Sequence, residues 1–71
     1  MSVRAKFKVE TVTQDESGSR VSLTPVTGGS KENEKFFRFT PFGSIEMGTI
    51  NKEVAKQFVP GDEFYVDFTK V

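Results

Sequence analysis

The residues best suited to chemistry fall in one short run, Lys35-Phe36-Phe37-Arg38-Phe39-Thr40. Read as a strand, the run puts Phe37 and Phe39 on one face and Phe36, Arg38 and Thr40 on the other. With Phe37 and Phe39 in a core, Phe36 faces outward beside Arg38, near Lys35 and Thr40. An outward ring next to cations and a hydroxyl suits a nucleobase stacked on the ring with its phosphate held nearby. The competing structural role for Phe36 is packing under a loop or in a subunit interface. Tyr65 is similar: it lies opposite Phe64, Val66 and Phe68 on its strand, which leaves its ring and hydroxyl for a ligand or for a cross-strand contact. Asn33 and Ser30 flank the run and can reach a ligand from a loop held by the scaffold. The expected ligand-binding set is therefore Asn33, Lys35, Phe36, Arg38, Thr40 and Tyr65.

Catalysis finds little to work with. The chain has no His and no Cys, so a Ser–His–Asp triad, a Cys nucleophile and a Cys/His zinc site are all excluded. Its ten carboxylates show no catalytic spacing: Asp62 and Glu63 are adjacent and would point to opposite faces of a strand, while Glu32 and Glu34 read as loop residues. Gly28-Gly29-Ser30-Lys31 lacks the spacing of a phosphate loop. No catalytic residue, metal ligand or cofactor is expected, and binding is the expected activity class.

The elements that must position these residues read mainly as strands. Val3, Ala5, Phe7 and Val9 alternate with Arg4, Lys6, Lys8 and Glu10, a half-buried first strand with a basic stripe on its other face. Such a stripe is the usual solvated face of an edge strand, and a phosphate-binding role for it is the minority reading. Thr13 to Ser19 reads as a hairpin loop, and Val21 and Leu23 mark a second strand that Pro25 ends. Thr27 to Glu34 reads as a flexible loop before the third strand, Lys35–Thr40. Pro41-Phe42-Gly43 is a turn signal, with Ile45 and Met47 in a fourth strand paired across it. Asn51 caps a short helix carrying Val54 and Phe58, which Pro60-Gly61 stops. The last strand carries Phe64, Val66 and Phe68. The expectation is one domain over residues 1–71: a mainly β, five-stranded twisted sheet or partial barrel, SH3-like or OB-like, with one short helix before the last strand.

Composition narrows the partners. Ten Lys/Arg balance ten Asp/Glu, so the formal net charge is zero, which disfavours duplex DNA, whose binding depends on neutralising many phosphates. Eight of the 71 residues are Phe, enough rings to build a small core despite an apolar fraction of 35%. Of these, Phe7, Phe37, Phe39, Phe58, Phe64 and Phe68 are the expected core, with Phe36 and Phe42 outside it. Without Cys there is no disulfide, so stability must come from packing or self-association, and a homo-oligomer is expected. No apolar stretch is long enough to span a bilayer, and Met1 to Lys6 has no apolar leader, so the sequence reads as intracellular with no membrane partner.

Ser2-Val3-Arg4-Ala5-Lys6-Phe7-Lys8-Val9, Leu23-Thr24-Pro25-Val26, Glu32-Asn33-Glu34-Lys35-Phe36-Phe37, Thr40-Pro41 with Gly43-Ser44-Ile45-Glu46-Met47, and Pro60 to Thr69, taken in this order, resemble a widespread family of small tailed-bacteriophage proteins. The motifs are short, and their order along nearly the whole chain carries the resemblance. Small phage proteins of this type include non-enzymatic sponges that sequester the cyclic nucleotide signals of bacterial anti-phage defence. The resemblance therefore implies a small nucleotide ligand and action in the host cytoplasm during infection; it assigns no residue. A cyclic dinucleotide needs only two or so cations and one or two stacking rings, which suits a neutral chain, and a pocket between identical subunits would supply volume that 71 residues lack. The rival readings are a virion-associated or host-protein-binding accessory module and a single-stranded nucleic acid binder.

Overall fold

In the computed structural model, which describes residues 2–71, four antiparallel strands form one sheet in the order β3-β2-β1-β4. The strands are β1 (Ser2–Asp15), β2 (Gly18–Pro25), β3 (Ile45–Thr49) and β4 (Glu63–Thr69). Two helices, α1 (Lys31–Phe39) and α2 (Lys52–Ala55), occupy the connections β2–β3 and β3–β4. Met1 lies outside the described residues.

The alternation of the first strand is realised as expected. Ala5, Phe7 and Val9 of β1 are buried with Val21 and Leu23 of β2, and Val12, Ile45, Phe58, Phe64 and Val66 pack against them. Cross-strand register builds this face in rows. Phe7 sits opposite Phe64 on one side and Pro25 on the other, Ala5 opposite Val66, and Val21 opposite Met47. β1 is longer than its alternation indicated because a bulge lies between Val9 and Thr11. The bulge adds one residue, so the inward set changes from odd positions to Val12. Beyond it β1 and β2 run to a two-residue turn at Glu16-Ser17, where the Ser17 N–H donates to Asp15 Oδ1 at 2.8 Å. Most of the expected Thr13–Ser19 loop is therefore strand.

The sheet has four strands, not five, because Lys31–Phe39 is helical. Ser30 caps α1, its Oγ accepting from the Asn33 N–H at 3.0 Å. Glu32 and Glu34 lie in the first turn and Arg38 in the last, where each charge suits the helix dipole. The Thr40 N–H donates to Phe36 O at 2.9 Å and Pro41 follows, so the helix ends there. β3 consequently pairs with β2 rather than with residues 35–40. The core assignment of Phe37 and Phe39 is also overturned: they are 38% and 74% exposed, since on a helix they no longer share an inward face. Phe68 shares the core face but stands 56% exposed.

The short helix before the last strand is present as α2, capped by Asn51 Oδ1, which accepts from the N–H groups of Glu53 and Val54. The segment after it is stitched to the bulge: Gly61 N–H donates to Val9 O and Val9 N–H to Asp62 O, both at 2.8 Å. The sheet is curled into a half-barrel. Its two edge strands, β3 and β4, line one open groove together with Phe58, although two other strands separate them in the sheet. No helix among the described residues is long and apolar enough to cross a membrane.

Candidate functional site: helix α1 against the β1–β4 face

Helix α1 lies across the polar face of β1 and β4 and divides the expected site between its two sides. At a helical period Asn33, Phe36 and Thr40 fall on one side, while Lys31, Lys35 and Arg38 (i, i+4, i+7) fall on the other. Tyr65 of β4 stands on the sheet beneath the first group. Phe36 and Tyr65 therefore do come together, their ring centroids 6.0 Å apart and their planes tilted by 50°. Lys35 and Arg38 do not join them and remain exposed on the outer side.

The inner side is a connected polar network. Arg4 grips Asp67 with two hydrogen bonds, Nε to Oδ1 at 2.7 Å and Nη2 to Oδ2 at 3.1 Å. Its guanidinium also lies 4.7 Å from the Tyr65 ring centre. Lys6 Nζ reaches Glu32 Oε2 at 2.8 Å and Glu63 Oε1 at 3.4 Å, and its side chain is 13% exposed. The Tyr65 hydroxyl donates to Glu32 Oε1 at 2.7 Å. Asn33 is buried, 4% exposed, and its side-chain amide donates to Gly28 O and Glu63 Oε2, both at 3.0 Å; its Oδ1 has no partner among the described residues. Asn33 thus ties the Gly28 loop to β4. Arg4 and Lys6 are already neutralised by carboxylates, and Lys8 pairs with Glu10 at 3.7 Å. The basic stripe of β1 is thus ion-paired along its length, and Lys6 is its link to α1, through Glu32.

The network shifts its members in a consistent direction. The hydrogen bond from Lys6, then that from Tyr65, holds the Glu32 carboxyl below its ordinary value, and Arg4 does the same to Asp67. The hydrogen bond to Glu32 raises both Lys6 and Tyr65. Carboxylates lowered by folding add stability that is present above their unfolded pKa and lost as pH falls through the folded one. Lys6 and Tyr65, raised, add stability that is present below their ordinary values and lost as pH rises past the folded ones. A plateau is expected from about pH 5 to about pH 9, with loss below about pH 4. In a urea series against pH, Glu32→Gln should flatten part of the acid limb; an acid limb identical to the parent's would remove Glu32 from that account.

The outer side of α1 is where unpaired charge collects. Among the described residues Lys31, Lys35, Arg38, Lys52 and Lys70 meet no carboxylate within ion-pair distance, and the first three of these five share one helix face, whereas Arg4, Lys6, Lys8, Arg20 and Lys56 are all paired. Glu34 lies at the edge of this stripe, one turn before Arg38. Phe39, one turn after Lys35, and Phe42 just beyond the helix are 74% and 83% exposed. The sequence pattern hides these two rings, placing Phe39 in the core and Phe42 in a turn. The spacing Asn33, Phe36, Phe37, Thr40 (i, i+3, i+4, i+7) after a capping Ser30 was the available signal.

Three open grooves lie elsewhere. One of about 430 Å³ sits between the β1–β2 turn and α2, and another of about 560 Å³ beside Val3 and Phe68. The apolar groove between the sheet edges measures about 480 Å³. Of the expected site residues, Tyr65 alone touches one of these three, the apolar groove. No group of three or more Asp or Glu placed to hold a metal ion occurs among the described residues. No family model, curated protein or solved structure matches the chain.

Proposed function

We propose that the chain is a non-enzymatic binding protein that holds a nucleotide-type anion on the outer side of α1. The observation that carries this reading is the segregation of charge. In a chain of zero net charge, three cations without carboxylate partners share one helix face, beside two exposed rings. Lys35 and Arg38 hold phosphate, Lys31 adds to the field, and Phe39 and Phe42 offer rings for a base to stack on. Phe36, Tyr65 and Asn33 support the site from beneath by fixing α1 to the sheet, and Thr40 closes the helix. The resemblance to small tailed-phage proteins points to cyclic oligonucleotide signals of anti-phage defence as the ligand class. It makes the host cytoplasm during infection the place of action. A partial barrel of the SH3 or OB kind is the nearest analogy for the curled sheet, and it carries no function by itself.

The test is incubation with cyclic dinucleotides followed by heat denaturation. The expected result is depletion of free ligand and its return intact. Replacing Lys35 and Arg38 together by Ala should remove about 1.5–3 kcal/mol for each lost charge-assisted contact, at least tenfold in affinity apiece. Cleaved ligand, or undiminished binding by the double variant, overturns the proposal. A second reading, docking to a virion or host protein, draws on the open apolar groove between the sheet edges.

A further inference from the structure

The chain exposes more surface than a self-contained domain of its mass. Its accessible area is 5597 Å². A compact monomer of 8.0 kDa is expected to expose about 4,400 Å², so roughly 1,100 Å² is in excess. The radius of gyration agrees: 13.1 Å against about 11 Å for a globular domain of this length. A standard protein interface buries about 800 Å² per partner, so the excess is what one such interface would remove.

The apolar part of that surface is continuous with the core. Val3 and Phe68 form the cross-strand row next to Ala5 and Val66, and they are 65% and 56% exposed. Met47, opposite buried Val21, is 40% exposed. With Ile45, Phe58, Phe64 and Val66 they lie in or beside the mouth of the half-barrel, between strand edges that pair with nothing among the described residues. A sheet with one apolar face needs a second layer over it, and among the described residues only Phe58 and the short α2 serve there.

We infer that this face is covered by a second copy of the chain, the two half-barrels packing mouth to mouth about a twofold axis. A twofold interface must be self-complementary. A mainly apolar face whose one charged lining residue, Asp67, is paired with Arg4 meets that condition, because it brings no unpaired like charges together. Four strands from each copy make eight, about the number that encloses an interior filled by side chains alone. The arrangement leaves the outer side of α1 free and stands independently of the ligand proposed for it.

Sedimentation equilibrium of the whole chain tests this. The expected mass is about 16 kDa, twice the 8.0 kDa chain, at micromolar concentration. Phe68→Glu and Met47→Glu should each raise the dimer dissociation constant about 100-fold or more, while Phe42→Asp, away from the groove, should leave it unchanged. In a mixed-label sample of the unmodified protein, intermolecular nuclear Overhauser contacts should join the Met47 methyl to Phe68 or Phe64 of the other copy. This measurement does not depend on any variant folding. A mass of 8.0 kDa up to about 100 µM overturns the inference. So does a dimer that resists both groove variants, one that Phe42→Asp abolishes, or a dimer without Met47 contacts.

Discussion

Replacing Phe7 by alanine is expected to lower the thermal midpoint by about 15–30 °C, the largest single-residue effect in the molecule. Phe7 is 5% exposed at the centre of β1, opposite Phe64 on one side and Pro25 on the other. Its far end also supports the Gly43 loop, where an added Cβ would stand 3.9 Å from Cζ. Truncating a buried Phe costs about 3–5 kcal/mol, because the lost transfer energy is joined by the cavity left behind. A chain of this length holds about 4–10 kcal/mol in all, and no disulfide limits its unfolded state. The variant should lose about half of its stability or more, read as a displaced urea midpoint by circular dichroism. A midpoint shift below about 4 °C would mean that the ring is not a pillar of the fold.

Gly18→Ala comes second. Gly18 has φ +132°, a conformation that L side chains rarely adopt. An added Cβ would stand 2.6 Å from Thr49 O and 3.3 Å from Ile50 Cα. Those neighbours are backbone at the end of β3, so relief requires moving a strand rather than turning a side chain. The backbone strain alone is worth about 1–3 kcal/mol, and displacement of β3 adds to it. The expected outcome is a midpoint lowered by about 10 °C or more, with faster amide exchange around Thr49 and Ile50. Gly28→Ala is the matched control. Its φ is ordinary and its Cβ would meet nothing within 4 Å, so the change should be neutral or slightly stabilising. Equal behaviour of the two variants would refute the account of Gly18.

Where period-two alternation marks one face of the sheet, the fold is legible in advance. Val3 to Val9, Val21 with Leu23, Ile45 with Met47 and Phe64 to Phe68 all became strands, and Asn51 before Lys52-Glu53-Val54-Ala55 became a capped helix. Lys35–Thr40 misled because three Phe interleaved with polar residues imitate alternation. In the folded chain the cap at Ser30 and the acidic first turn outweigh that local pattern. The change of period from two to 3.6 redistributed the candidate site. It kept Phe36 with Tyr65, separated both from Lys35 and Arg38, and turned Phe39 outward. The network of Glu32 and Glu63 with Lys6 was not readable, since Glu63, 57 residues away, meets Lys6 only through the pairing of β1 with β4, and Glu32, 26 residues away, only once α1 is folded over the sheet.

The bulge after Val9 gives β1 something like a reading frame. Before it, odd-numbered residues face the core; after it, Val12 does, while Thr11 and Thr13 are exposed. Losing Glu10 alone would remove the bulge and leave plain alternation, Val9 inward, Thr11 outward and Val12 inward, whereas losing two residues there would turn Val12 into water. Length variation along this strand is therefore counted in pairs of residues except at Glu10, where a single residue can be gained or lost with both halves still facing one core.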